Sequence, residues 1–122
     1  MYIVSETPEF NQWLRSIKDK TTRVRLLRRL DKVHTGNLGD IKSVGDSVYE
    51  MREHFGPGWR MYYVQRGALL LLMLGGGDKA TQASDIARAI ALSKADFINC
   101  SACCFVIFMR NLNLLHNSVN LL

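Results

Sequence analysis

Cysteine is scarce and crowded in this chain. Its three residues, Cys100, Cys103 and Cys104, fall at positions 100 to 104, so no disulfide framework can tie the rest together and a reducing compartment suits it. Cys100-x-x-Cys103 has no second Cys/His pair at zinc spacing, and His34, His54 and His116 are scattered, so neither a metal site nor a cofactor is expected. Long apolar runs are also missing. The longest, Ala68 to Leu74 and Ala102 to Met109, fall well short of the roughly 20 residues a membrane helix needs. The first residues lack a charged stretch followed by an apolar one, so no signal peptide is read and a cytoplasmic, membrane-free protein is expected. Gly75-Gly76-Gly77-Asp78-Lys79-Ala80-Thr81 lacks the Gly-Lys-Ser/Thr ending of a nucleotide phosphate loop, and no Gly-x-Ser-x-Gly elbow occurs.

Positive charge is what the chain has in excess. Over 122 residues, 16 Lys and Arg face 11 Asp and Glu, for a net charge of +5 and a pI near 9.4. Such a balance favours anionic partners, phosphate polymers among them. From Arg15 to Lys32 eight cationic residues stand against Asp19 and Asp31 alone.

Periodicity organises residues 1 to 97 as one α+β domain in the order β-α-α-β-β-β-α. Tyr2, Ile3 and Val4 suit a short strand, and Thr7-Pro8 supplies a helix cap followed by proline at the first helical position. Phe10, Trp13, Leu14 and Ile17 then form an apolar stripe. A second helix, Thr22 to Val33, places Leu26, Leu27, Leu30 and Val33 inward and Arg25, Arg28, Arg29 and Lys32 outward. After the turn residues Gly36 to Asp40, alternation over Ser47 to His54 puts Tyr49 and Met51 on one face and Val48, Glu50, Arg52 and His54 on the other. Gly56-Pro57-Gly58 turns the chain into Trp59 to Arg66, with Arg60, Tyr62 and Val64 on one face and Met61 and Tyr63 on the other. Ala68 to Leu74 reads as an internal strand covered on both sides. The three glycines that follow read as a sharp corner before a helix over Thr81 to Lys94, with Ala83, Ile86, Ala87 and Ile90 on its inner face. Residues 98 to 122, with Arg110 as their single charged side chain, read as an atypical apolar extension outside the core.

Arg52, Arg60 and Tyr62 on neighbouring strands, with Lys79 at the glycine corner, form a set able to grip a phosphate and stack a base. The same spacing fits a solvated cationic face. Cleaving RNA through its 2′-hydroxyl needs cationic donors on the phosphate, which Arg and Lys supply, and a proton-transfer group, for which His54, Tyr62, Lys79 and Asp78 are the nearby choices.

Several blocks occur together in order: Phe10-x-x-Trp13-Leu14, Gly36-Asn37-Leu38-Gly39-Asp40-x-Lys42, Glu50-Met51-Arg52, Phe55-Gly56-Pro57-Gly58-Trp59-Arg60-Met61-Tyr62-Tyr63, and Gly75-Gly76-Gly77-Asp78-Lys79-x-Thr81-Gln82. Across residues 1 to 96 they resemble the RelE/ParE superfamily of toxin-antitoxin toxins, in its HigB-like "addiction module killer protein" branch. The resemblance implies a RelE-like fold, with a strand and helical hairpin on a twisted antiparallel sheet. It also implies a metal-independent endoribonuclease that cuts mRNA on the translating ribosome, bound by a cognate antitoxin of helix-turn-helix type and able to join it in larger complexes on operator DNA. The roles implied are Arg60 for phosphate stabilisation and Arg52 and Lys79 for charge neutralisation. Tyr62 is implied as a base contact, and Lys42, His54, Asp78, Thr81, Gln82, Arg25 and Arg29 are further candidate RNA contacts. The proton-transfer residue stays unassigned, because the aromatic or histidine that some relatives carry near the C-terminus has no counterpart. The alternatives are a ParE-like inhibitor of DNA gyrase and a non-catalytic, antitoxin-binding co-repressor.

Overall fold

A computed structural model describes residues 1–98; the cysteines and the apolar extension from residue 99 lie outside the described residues. The chain begins with strand β1 (Ile3–Glu6) and helices α1 (Pro8–Ser16) and α2 (Lys20–His34). Strands β2 (Ile41–Gly45), β3 (Val48–Arg52), β4 (Arg60–Arg66) and β5 (Leu70–Gly77) follow, then a 3-10 turn (Lys79–Thr81) and helix α3 (Gln82–Ile98). The strands form one five-stranded sheet in the order β1-β5-β4-β3-β2. It is mixed rather than purely antiparallel, since β1 runs parallel to β5 while the other neighbours are antiparallel.

Local chemistry explains the helix starts. The Thr7 hydroxyl accepts the Phe10 amide and donates to the Met73 carbonyl, so one side chain both caps α1 and ties it to β5. Asp19 caps α2 by accepting from the Thr21 amide and the Thr22 hydroxyl, which starts the helix earlier than the apolar pattern indicated.

Two cores lie on opposite faces of the sheet. Under α1 and α2, Phe10, Leu14, Ile17, Leu26, Leu30 and Val33 meet Met51, Met61, Tyr63, Leu71 and Met73. Under α3, Val48, Tyr62, Val64, Leu72 and Leu74 meet Ala89, with Ile86 and Ile90 at the margin. The unbroken leucine run of β5 therefore serves both faces, as an internal strand should. Tyr49 and Tyr63, cross-strand partners, stack with ring centroids 5.6 Å apart.

Four expectations change. A strand, β2, occupies the stretch between the turn residues and the alternating strand, where no element was read. Ile41 packs on the α1/α2 side and Val44 on the α3 side, and the register shifts between Ser43 and Gly45, so its apolar residues fall three apart and conceal the period of two. The β2–β3 loop is Asp46-Ser47, both with positive φ (51° and 65°), the left-handed geometry of a two-residue hairpin. In α2, Leu27 faces solvent while Arg29 is buried, because Arg29 finds partners inside and Leu27 has none to pack on. In α3 Ile86 and Ile90 pack against the core as expected, but the buried residues are Asp85, Ala89 and Ser93, and Ala83 and Ala87 are exposed.

The glycines are the fourth. Gly75–Gly77 belong to β5 and do not form a corner. What they supply is room. A Cβ on Gly76 would overlap the Trp13 ring from one side, and a Cβ on Gly77 would overlap the Asp85 carboxyl and come within 2.8 Å of the Thr81 hydroxyl. A Cβ on Gly75 would meet nothing within 4 Å. Gly77→Ala is therefore expected to cost about 1–3 kcal/mol in urea unfolding, while Gly75→Ala stays within about 0.5 kcal/mol of the parent.

Candidate functional site: the basic end of the sheet

Strand register assembles the site. Lys42, Glu50, Tyr62 and Gly75 are paired across β2, β3, β4 and β5, and two residues further Arg52, Arg60 and Gly77 are paired across β3, β4 and β5. Paired residues share a face, so these side chains project on the α3 side at the end of the sheet near the N-terminus of that helix. Lys79 follows Gly77 by two residues. Its amide lies 3.4 Å from the Pro57 carbonyl, and a Cβ on Gly58 would lie 3.4 Å from the Lys79 Cβ and 3.9 Å from Arg60 Nη1. Arg52, Arg60, Lys79 and Lys42 are thereby gathered at one end of the sheet.

The site has an inner and an outer part. Inside, Glu50 and Tyr62 are fully buried and Arg60 is 8% exposed. Glu50 Oε2 accepts from the Tyr62 hydroxyl at 3.2 Å and from Gln82 Nε2 at 2.7 Å, while its Oε1 faces Arg60 Nε at 3.7 Å. Two expectations are corrected here, because α3 and the 3-10 turn cover the sheet face that read as open. Tyr62 cannot stack a base; burial, then the Glu50 carboxyl, pushes its hydroxyl well above the ordinary tyrosine value. Arg60 is not an exposed phosphate grip, since it lies beneath the surface against Glu50. Its Nε and Nη1 are buried without a hydrogen-bond acceptor among the described residues.

Outside, Asp40 holds two partners at once. Arg52 Nη2 donates to Asp40 Oδ1 at 3.0 Å, and His54 Nε2 lies 2.7 Å from Oδ2. The Arg52 amide also donates to the Asp40 carbonyl, which fixes the loop before β2 against the end of β3. The Arg52 guanidinium first, and His54 second, hold the Asp40 carboxyl below the usual carboxylate range, and Asp40 in turn raises Arg52. The His54 side chain is 73% exposed and Arg52 is 32% exposed. Lys42 and Lys79 are exposed as well.

The remaining sequence candidates divide between cap, core and periphery. Asp78 accepts the Thr81 amide and Thr81 reaches back to the Asp78 amide, a reciprocal cap on the 3-10 turn that places Lys79. Gln82 reaches inward to Glu50 rather than outward to a ligand. Arg25 lies on the α2 side with its guanidinium 3.6 Å above the Phe55 ring, in the turn that follows His54. Arg29, expected on the outer face of α2, instead donates to the carbonyls of Leu38, Asp40 and Arg52 and pairs with Glu53.

Sequence reasoning read Asp40 only as a turn residue and missed Glu50. The signal for Glu50 was present, as an acid between Val48 and Arg52 on a strand face shared with Tyr62. Among the described residues no group of three His, Cys, Asp or Glu comes together in a metal-ligating cluster, and no helix is long and apolar enough to cross a membrane. A groove of about 600 Å³ between α1 and α3, lined by Trp13, Leu74, Gly76, Ala89, Leu92 and Ala95, includes none of Lys42, Arg52, Arg60 and Lys79 in its lining.

The architecture is that of an α+β protein, a five-stranded mixed sheet between a helix pair and a third helix, with a cationic end. No protein-family model matches the chain, and no solved structure matches it. A Haemophilus influenzae protein described as uncharacterized is 36% identical over 91 residues, 75% of this chain and 92% of that protein. The chain belongs to the family of that Haemophilus protein.

Two outcomes follow from the geometry. Arg29→Ala strips three backbone carbonyls and Glu53 of a buried partner, and is expected to lower stability by about 3 kcal/mol or more in chemical denaturation. Asp40→Asn is expected to be less stable than the parent at neutral pH. Because the folded Asp40 value is depressed, its contribution is complete above the ordinary value of 3.8 and fades as pH falls through the folded value, so the difference between the two proteins, followed by urea unfolding, shrinks on acidification.

Proposed function

We propose that this chain is a RelE-like toxin that binds mRNA on the ribosome and cleaves it, under the control of a helix-turn-helix antitoxin. The observation that carries the reading is the row Arg52, Arg60 and Gly77 across three strands, followed within two residues by Lys79 and flanked by Lys42. A phosphodiester gains negative charge as it becomes pentavalent, and cations fixed before the reaction lower that barrier most. Arg52, Lys42 and Lys79 reach solvent and can touch phosphate directly. Arg60 contributes from beneath, held in place by Glu50. A strand and two helices, then an antiparallel meander closed by a helix, support the RelE-like assignment.

Inducing the chain in bacteria and mapping new mRNA 5′ ends tests the reading, with Arg52→Ala and Lys79→Ala as controls. Arg60→Ala serves poorly, because it leaves the buried Glu50 without its cation. The parent is expected to arrest growth and generate discrete new ends, and Arg52→Ala to reduce cleavage about 10²–10³-fold. Growth arrest with intact transcripts ends the nuclease reading, and loss of supercoiling under those conditions points to gyrase inhibition instead.

A further inference from the structure

The geometry points to His54 as the general base of the basic end, with Asp40 as the residue that positions it: a proton-transfer pair for the attack of an RNA 2′-hydroxyl on its own 3′-phosphate. This rests on the nuclease reading and supplies the group which that reading lacks. The pair is built on the outer part of the site. Asp40 binds Arg52 through one carboxyl oxygen and His54 through the other, at 3.0 and 2.7 Å, so one side chain fixes a phosphate-binding cation and an imidazole relative to each other. Asp40 is itself fixed, since its carbonyl accepts from Arg29 Nη2 and from the Arg52 amide.

The direction of proton transfer follows from the hydrogen bond. Asp40 lies below the usual carboxylate range, so at neutral pH it is ionised and can only accept. The ring proton of neutral His54 therefore resides on Nε2, and the lone pair is left on Nδ1. With the side chain 73% exposed, nothing among the described residues bars an RNA strand held by Arg52 from reaching it. Nδ1 takes the 2′-hydroxyl proton and the 2′-oxygen forms a bond to phosphorus. The bond from phosphorus to the 5′-oxygen breaks with its electron pair on that oxygen, which takes a proton from water. A 2′,3′-cyclic phosphate and a free 5′-hydroxyl result, and the imidazolium returns its proton to solvent. No oxidant, reductant or further reactant is needed.

The test is single-turnover cleavage of a defined mRNA on translating ribosomes by the full chain, comparing the parent with Arg52→Ala, His54→Ala, His54→Gln and, as a control away from the site, His34→Ala. The parent and His34→Ala are expected to cut, leaving a cyclic phosphate. His54→Ala and His54→Gln are expected to be about 10²–10⁴-fold slower, and added imidazole to restore part of the His54→Ala rate. Glutamine keeps a donor for Asp40 but takes no proton, so a His54→Gln protein that cuts like the parent overturns the assignment, as does failure of imidazole to restore any cleavage. Asp40→Asn is expected to slow the parent and to cost less in the His54→Ala background, where only its hold on Arg52 is left to lose; fully additive losses would mean that it does not act through the ring. A parent that cuts nothing removes the nuclease reading and this inference together, whereas a cutting parent with fully active His54 variants removes this inference alone.

Discussion

The site depends on a single buried guanidinium. Arg29 leaves the core-facing stripe of α2 and donates to the carbonyls of Leu38, Asp40 and Arg52, with Glu53 as its counter-charge. Those carbonyls belong to the loop before β2 and to the end of β3. Without Arg29 the Leu38 and Arg52 carbonyls would lose their part-buried side-chain donor, at a desolvation cost of about 1–3 kcal/mol each, while the Asp40 carbonyl would keep only the Arg52 amide. Planar, always charged and carrying five N–H donors, arginine can serve all of them from one position, which lysine cannot. A Cβ at Gly39 would come within 2.9 Å of this guanidinium, so the loop's glycine is part of the same arrangement. Asp40 and Arg52 meet in the outer site because Arg29 has already fixed the backbone beneath both.

Much of the fold was legible in the sequence, because most elements obey a single period. The α1 stripe, the two faces of β3 and β4, and the doubly covered β5 follow from spacing alone, and each packs where its pattern places it. What escaped did so for identifiable reasons. Strand β2 is an edge strand with a register shift and only two inward apolar residues. The parallel pairing of β1 with β5 is a tertiary choice that no local pattern encodes. The glycine run was ambiguous, since absence of a side chain can serve a turn or a close approach; here Trp13 and Asp85 occupy the space on opposite faces of the sheet.

The site was legible as a row but not in depth. Alternation placed Arg52, Arg60 and Tyr62 on one face, and the register does pair Arg52 with Arg60. Whether that face was open depended on α3, whose Asp85, Ala89 and Ser93 face turned out narrower and more polar than the alanine-isoleucine stripe expected. Arg29 was misplaced for a related reason. A cation in a basic run reads as surface unless its acceptors are known, and here they are backbone carbonyls, which carry no residue signature.

The burial of Glu50 against Arg60 bears on how this end of the molecule handles its ion atmosphere. A phosphate chain sheds condensed counterions in proportion to the cations that take their place at its surface. Arg60 is matched within the fold, and Arg52 already shares Asp40, so among the described residues of this end the charges left to displace counterions without competition are those of Lys42 and Lys79, on separate elements at the margins. On the proposed reading, such a surface would hold a polyanion loosely along its length while keeping a guanidinium fixed under one phosphate. Residence on any given stretch of RNA would then be governed by whatever presents that RNA, and the protein's own electrostatics would decide which bond lies over the site.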